Sequence, residues 1–467
     1  MSPLPVPTGK QHHVVHLASD RHNVVLGTAG TGKSTMAMLR ADHLARATTQ
    51  NNGTVLLVTY NNALVNYLEY LGPEAISNIT VRTYGRFARG YLDSMGLMSF
   101  NGIAGPHKVN IYVGRAIGHV QQSGLTGSVM SRDVGWFVDE LHWISGMGIA
   151  SEAEYQSAQR IGRQTPLQTG TARSLVWAVR DGYREIRAAN GFTNDWYDLA
   201  STVRGALATD TRPRMYRHIL IDEGQDLTPE SIRSLTEAVQ AGGSVTFFGD
   251  YHQAIYGQGL SWRSSGIQLG NRPVEKFVDN YRNTAQIAKV AIAMSQSPYM
   301  DVVDEDLVVP TQPVAAGPMP VLVRCRDAEG EITTVRELAL EAGRDQTVAI
   351  LARTWSEAQR VAGTLPYRKL DGDMSQWDNV AGLYVGAYHS AKGLEFDAVF
   401  MPFLNDDRIP YPNVLRSFSE EEACSREARL LYVSVTRARS TLVMTYSGLR
   451  TRLLPTTPGL WDEEDLT

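Results

Sequence analysis

Val24-Val25-Leu26-Gly27-Thr28-Ala29-Gly30-Thr31-Gly32-Lys33-Ser34-Thr35 passes from three apolar residues, through a glycine-rich turn, into a helical pattern that runs from Thr35 to Arg46. The apolar residues favour a buried strand, and the glycines allow the tight turn that follows it. The turn has the spacing Gly-x-x-x-x-Gly-Lys-Ser of a P-loop. Backbone N–H groups in such a loop wrap phosphates, and the partial positive charge of the helix N-terminus adds to their hold. Gly27, Thr28, Ala29, Gly30, Thr31, Gly32, Lys33, Ser34 and Thr35 are therefore candidate nucleotide-binding residues. In this chemistry Lys33 reaches the β- and γ-phosphates of ATP, and Ser34 holds Mg²⁺.

Outward from this turn the pattern is strand alternating with helix. Val55–Val58, His218–Ile221 and Val245–Phe248 read as further strands. The same rhythm returns at Val321–Val323, Val348–Leu351, Leu383–Val385 and Ala398–Phe400. Such alternation predicts an α/β architecture with buried parallel strands, here in two lobes. Residues 91–195 differ, being helix-rich with Trp136, Trp143 and Trp177, and they interrupt the first lobe. The predicted division is 1–90 with 196–275, a helical insertion at 91–195, a second lobe at 276–454 and a mobile acidic tail at 455–467. Asp222-Glu223 directly follows the apolar strand Ile219–Ile221. Paired carboxylates at a strand end beside a P-loop suit a hydrolytic site, with Asp222 on Mg²⁺ through its water shell and Glu223 orienting or deprotonating the attacking water.

Composition narrows the class without naming a ligand. The formal net charge is −5, so any contact with phosphates must come from a local basic groove. The two cysteines, Cys325 and Cys424, suggest neither a disulfide framework nor a metal cluster. The opening MSPLPVPTGKQHH lacks the basic start and apolar core of a signal peptide, and no apolar run has membrane-spanning length. The expectation is a cytoplasmic enzyme with no membrane partner.

Further segments carry a resemblance. Ile221-Asp222-Glu223-Gly224-Gln225-Asp226, Val58-Thr59-Tyr60-Asn61-Asn62, Thr83-Tyr84-Gly85, Gly249-Asp250-Tyr251-His252-Gln253-Ala254-Ile255-Tyr256, Asn280-Tyr281-Arg282, His389-Ser390-Ala391-Lys392-Gly393-Leu394-Glu395-Phe396 and Leu431-Tyr432-Val433-Ser434-Val435-Thr436-Arg437-Ala438 occur in this order. Together with the P-loop they resemble the motifs of superfamily 1 helicases of the UvrD/Rep/PcrA type. The resemblance implies two RecA-like lobes, called 1A and 2A, with a helical 1B-like insertion in the first. It implies that Arg282 and Arg437 approach the γ-phosphate from the second lobe and that Gln253 senses that phosphate. Gln11 would read adenine, Tyr281 would stack on it, and Glu395 would contact the ribose. On a nucleic-acid track, Tyr60, Tyr84 and Tyr256 would stack on bases, while Thr59, Thr83 and His389 would hold the backbone.

Two departures stand out. Gln258 occupies the position where the family commonly places a stacking tryptophan, and Gly85 replaces a histidine. Leu365-Pro366-Tyr367-Arg368 resembles the lead-in to the large 2B insertion, yet the strand at Leu383 follows closely, so 2B is expected to be absent. The resemblance implies an ATP- and Mg²⁺-dependent 3′→5′ translocase or helicase on single-stranded DNA, with RNA as the alternative strand and DNA repair, recombination or defence as its setting. Two further readings stay open. One is a partner-dependent ATPase subunit of a nuclease or antiphage defence complex. The other is a nucleic-acid- or polymerase-binding protein that uses ATP as a switch.

Overall fold

The computed structural model describes residues 7, 10–28, 30–59, 65, 78–99, 101–163, 165–250, 262–277, 283–300, 315–370 and 380–467. The first sheet uses β1 (Asn23–Gly27), β2 (Val55–Thr59) and β3 (Ile79–Thr83) from the N-terminal part. The short strands β4 (Ile103–Ala104) and β5 (Asn194–Asp195) pair with each other in parallel. The chain then returns to the first sheet as β6 (Tyr216–Ile221), β7 (Val239–Gly249) and β8 (Glu275–Phe277). The order is β3-β2-β6-β7-β1-β8, with every pairing parallel. β1, β2 and the end of β6 are buried throughout, as strands covered on both faces must be.

A second sheet is built from β9 (Val321–Cys325), β10 (Thr347–Ala352), β11 (Tyr367–Lys369), β12 (Gly382–Ala387), β13 (Phe396–Met401), β14 (Ala438–Ser447) and β15 (Asp462–Leu466). Its order is β11-β12-β10-β13-β14-β9-β15, again all parallel. Each sheet has an apolar core on either face. The predicted strands all lie within these two sheets. Ala63–Leu68, whose apolar pattern after the second strand predicts a helix, lies outside the described residues except for Val65.

Between β4 and β5 the chain is helical, with Pro106–Gln122, Val134–Met147, Glu152–Ser157 and Thr171–Ala189 packed around a core of their own that includes Trp136, Phe137, Trp143, Tyr155 and Trp177. The helix Tyr84–Ser94 does not belong to that core. Its Phe87, Ala88 and Leu92 pack with the first sheet, so the separately packed helices begin after residue 91. These helices also touch the second sheet's layer. Glu422, on the helix Glu420–Val435, accepts hydrogen bonds from the backbone and hydroxyl of Thr165, and Arg426 donates to Asp139 at 2.8 Å.

The C-terminus corrects the expectation of a mobile tail. Leu460 and Trp461 are buried in the second core, and Asp462–Leu466 adds β15 to the edge of the sheet beside β9. The acidic side chains of this strand are exposed, which suits an edge that must not recruit another chain. Where a 2B-like insertion would enter, only residues 371–379 separate Leu370 from Val380, too short a span for a domain.

Candidate nucleotide site and nucleic-acid face

The sequence-predicted residues converge at the carboxyl ends of parallel strands, where open α/β sheets place ligands. Gly27 ends β1, Asp222 follows β6 and Asp250 follows β7. The P-loop then enters the helix Lys33–Ala45. Gly32 has φ of 78°, a left-handed conformation that a side chain would strain. At Gly27 a Cβ would stand 2.7 Å from the Thr31 hydroxyl and 3.1 Å from Phe277, so the loop can close this tightly only around glycine. Lys33 is buried, with Nζ donating to the carbonyls of Gly27 and Thr28 at 2.8 Å each and lying 3.8 Å from Asp250. Gln11 packs above the loop, its amide 3.4 Å from the Thr31 carbonyl.

Asp222 is fully buried, and neither carboxylate oxygen has a hydrogen-bond partner of good geometry among the described residues. Burial and the neighbouring Glu223 push its pKa up to about 7, against the pull of the Ser34 hydroxyl and Lys33 beside it. Buried, unsatisfied oxygens next to a serine hydroxyl are hard donors, and Ser34 and Asp222 fit the Mg²⁺ expected here.

Glu223 departs from ordinary backbone geometry, with φ of 52°. Holding a non-glycine residue there costs on the order of 1–3 kcal/mol. Burial raises the Glu223 pKa, but Lys392, Lys33 and Arg437 together with a hydrogen bond from Gln225 outweigh it, so the group is held below the usual carboxylate range. Gln225 also accepts from the Asp250 backbone at 2.8 Å, which ties the end of β6 to the end of β7.

Lys392 and Arg437 come from the second lobe. Arg437 is 1% exposed and pinned to its own backbone, with Nε donating to the Val433 carbonyl at 2.9 Å and Nη1 to Leu394 at 3.3 Å. Lys392 is equally buried and forms an ion pair with Asp226. Sequence reasoning quoted Lys392 and Asp226 inside their motifs and gave neither a role. The two are far apart in sequence, and only the fold shows that they meet. Glu395 is half-buried and accepts from Arg439 at 3.1 Å.

The nucleic-acid residues divide. Thr83 caps the helix Tyr84–Ser94 by accepting from the Arg86 backbone, and His389 is exposed after β12. Thr59 is completely buried at the end of β2, and its hydroxyl has no partner among the described residues. Tyr84 is corrected to a core residue. It is 8% exposed, and its hydroxyl lies 2.7 Å from Ser234, so the ring has no open face for a base. An aromatic that sequence reasoning passed over stands nearby. Trp196 is 44% exposed and lies against Gly85, where a Cβ would come within 3.0 Å of its ring. The histidine expected at Gly85 would collide with it. The Trp196 loop is braced by Arg187, which donates to Asp195 and Asp198 on its two sides, at 3.1 and 2.7 Å. Ala29, Tyr60, Gln253, Tyr256, Tyr281 and Arg282 lie outside the described residues.

Residues 11–258, more than half of the chain, match the family described as AAA domain, and residues 383–448 match the UvrD-like helicase C-terminal domain. The chain belongs to the UvrD-like helicase family. Among its relatives, the ATP-dependent DNA helicase UvrD2 of Mycobacterium tuberculosis is 41% identical to this UvrD-like chain over 68 residues, 15% of the chain and 10% of UvrD2. A probable DNA helicase of Mycoplasma pneumoniae is 22% identical over 452 residues, 90% of this chain and 80% of that one. The ATP-dependent DNA helicase PcrA of Staphylococcus aureus is 32% identical over 94 residues, 20% of the chain and 13% of PcrA. The matched stretches thus span about a tenth of UvrD2 and of PcrA. Among the described residues of the UvrD-like chain, no helix is long and apolar enough to cross a membrane.

Proposed function

We propose that the chain is an ATP-driven motor that moves 3′→5′ along single-stranded DNA. The observation that carries this reading is the buried ion pair between Asp226, after β6 of the first sheet, and Lys392 of the second lobe, which brings charges of both lobes to bear on Glu223. A site assembled from two lobes changes its electrostatics when they move, which is how hydrolysis can be coupled to motion. In this reading residues 1–90 with 196–275 form lobe 1A and 276–454 form lobe 2A, with the helical insertion between the two parts of 1A and β15 closing the second sheet's edge.

Within the site, Lys33 holds the β- and γ-phosphates, Gln11 reads the adenine edge, and Glu223 accepts a proton from the attacking water or orients it. Ser34 and Asp222 would hold Mg²⁺, which would supply charge neutralisation at the phosphates. Arg437 and Arg282 stabilise the transition-state charge, an effect of about 10³ to 10⁵ in rate for such arginines. Gln253 senses the γ-phosphate, Tyr281 stacks on adenine, and Glu395 contacts the ribose. On the strand, Thr83 and His389 hold phosphates, Tyr60 and Tyr256 stack, and Trp196 supplies a stacking face near the first lobe's motif, while the buried Thr59 lies out of the strand's reach. The test is ATP turnover with and without a single-stranded oligonucleotide, with streptavidin displacement from either biotinylated end to read polarity. No stimulation by the strand, or displacement of streptavidin only from the 3′ end, would count against it.

The short span between Leu370 and Val380 favours a second reading, in which the motor works inside a larger assembly such as a nuclease complex. A chain that translocates yet fails to separate duplex alone is the result this reading expects.

A further inference from the structure

The helix Tyr84–Ser94 and the segment 207–216 enclose a cavity of about 380 Å³, whose lining includes neither the P-loop nor Asp222-Glu223. Its lining is mostly apolar, with Phe87, Leu207 and Ala238 buried beneath and Met215 68% exposed at the mouth. Four arginines and a single carboxylate complete it. The carboxylate, Asp210, is already engaged. It accepts from the Tyr91 hydroxyl at 2.9 Å and from Arg212 Nε at 2.9 Å. Arg214 is engaged as well, donating to the Leu207 carbonyl at 2.9 Å and the Glu237 carbonyl at 3.2 Å. These bonds fix the wall. Arg82 and Arg86, by contrast, are exposed at the rim, and their guanidinium groups pair with no described residue. Gly90 opens onto the same space, and a Cβ there would meet nothing within 4 Å.

We propose that this cavity docks a protein partner through an acidic segment that carries an apolar or aromatic side chain. The apolar side chain fills the cavity, and acidic residues beside it pair with Arg82 and Arg86. Charge complementarity argues for this occupant. The chain as a whole is at −5, yet this rim presents unpaired positive charge around an apolar hole. A buried anchor with charged flanks is also the usual anatomy of an energetic contact. A nucleic-acid strand fits less well, because Phe87 is buried and the Tyr91 hydroxyl is tied to Asp210, which leaves little aromatic face for a base. The inference does not rest on the motor reading, since docking needs neither ATP nor a strand.

The probe is a fluorescein-labelled pentapeptide of three aspartates, leucine and phenylalanine, with binding read by fluorescence anisotropy on the full chain without nucleotide. Saturable binding is expected. Reversing the rim with Arg82→Glu and Arg86→Glu should weaken it tenfold or more, and so should filling the cavity with Gly90→Leu, which leaves every charge in place. A peptide with lysines for aspartates, and one with glycines for the apolar end, should each bind at least tenfold more weakly. Circular dichroism melting confirms that both variants fold, and Gly90→Leu improves helix propensity, so a folding failure at the rim leaves the cavity arm intact. Absence of saturable binding, or unchanged affinity in Gly90→Leu, overturns the proposal. Loss of oligo-dT binding in Gly90→Leu with no peptide binding overturns it in favour of the strand.

Discussion

Replacing Lys392 with methionine removes the positive end of a buried ion pair while keeping most of the side chain's volume. Two consequences follow from the geometry. Asp226, which burial already raises to about 7 despite Lys392, loses the charge that pulls it down. Removing one partner of a buried pair costs about 3–5 kcal/mol while the other stays ionised, and protonation of Asp226 recovers part of this near neutral pH. Glu223 loses the largest of the charges that hold its pKa down. An opposite charge at close range is worth about 1–3 pKa units, so the Glu223 pKa should rise by that order. The sign is fixed by chemistry. In the proposed mechanism Glu223 is ionised when it acts on water, so a higher pKa removes activity from the acid side of the profile. The acid limb of kcat against pH should move upward by about one unit or more, with the alkaline side little changed. The double variant Lys392→Met with Asp226→Asn restores the melting temperature, because no unpaired carboxylate remains, yet it keeps the shifted limb. Turnover measured from pH 5 to 9 at saturating ATP separates the two effects. An unshifted acid limb in both variants refutes the claim that Lys392 acts on Glu223 across the lobes.

Other substitutions test the remaining roles. Glu223→Gln should abolish hydrolysis while fluorescent ATP analogues still bind, and near-normal turnover would remove Glu223 from its place beside the water. Gln11→Ala should narrow a preference for ATP and dATP over GTP, which initial rates on each nucleotide would read; equal use of ATP and GTP by the unmodified chain counts against adenine reading. Trp196→Ala should weaken oligo-dT binding by about 5- to 150-fold, corresponding to roughly 1–3 kcal/mol of stacking, without changing ATP affinity. Unchanged anisotropy titrations would leave Trp196 as a packing residue for Gly85.

The nucleotide half of the site was legible because its signals are local. A P-loop needs glycines, a lysine and a hydroxyl within a few residues, and Asp222-Glu223 must follow an apolar strand, so pattern and chemistry coincide in the chain. The same holds for the buried parallel strands, which read as short apolar runs. What was missed depends on distance in sequence. Lys392 and Asp226 meet only when the two lobes pack, and nothing near either residue announces the other. Tyr84 shows the converse error, since a tyrosine at a motif position looked like a stacking ring, but Ser234, on the helix Pro229–Ala238, claims its hydroxyl. Trp196 stands far along the chain from Gly85, and nothing near Gly85 in sequence shows that its lack of a side chain admits the indole ring. The acidic C-terminus looked solvated by charge alone, but Leu460 and Trp461 anchor it and backbone pairing does the rest.

The central claim is that nucleic acid drives closure of the two lobes and brings Arg437 to bear on the γ-phosphate. The direct measurement is ATP turnover against oligo-dT concentration, beside DNA affinity, for the unmodified chain, Arg437→Lys and Arg437→Ala. Arg437 is buried, so the lysine variant keeps a positive charge there while losing the guanidinium fork. The account predicts strong stimulation by oligo-dT in the unmodified chain and loss of most of it in both variants, with DNA affinity retained. Full DNA-stimulated turnover in folded Arg437→Ala would contradict it.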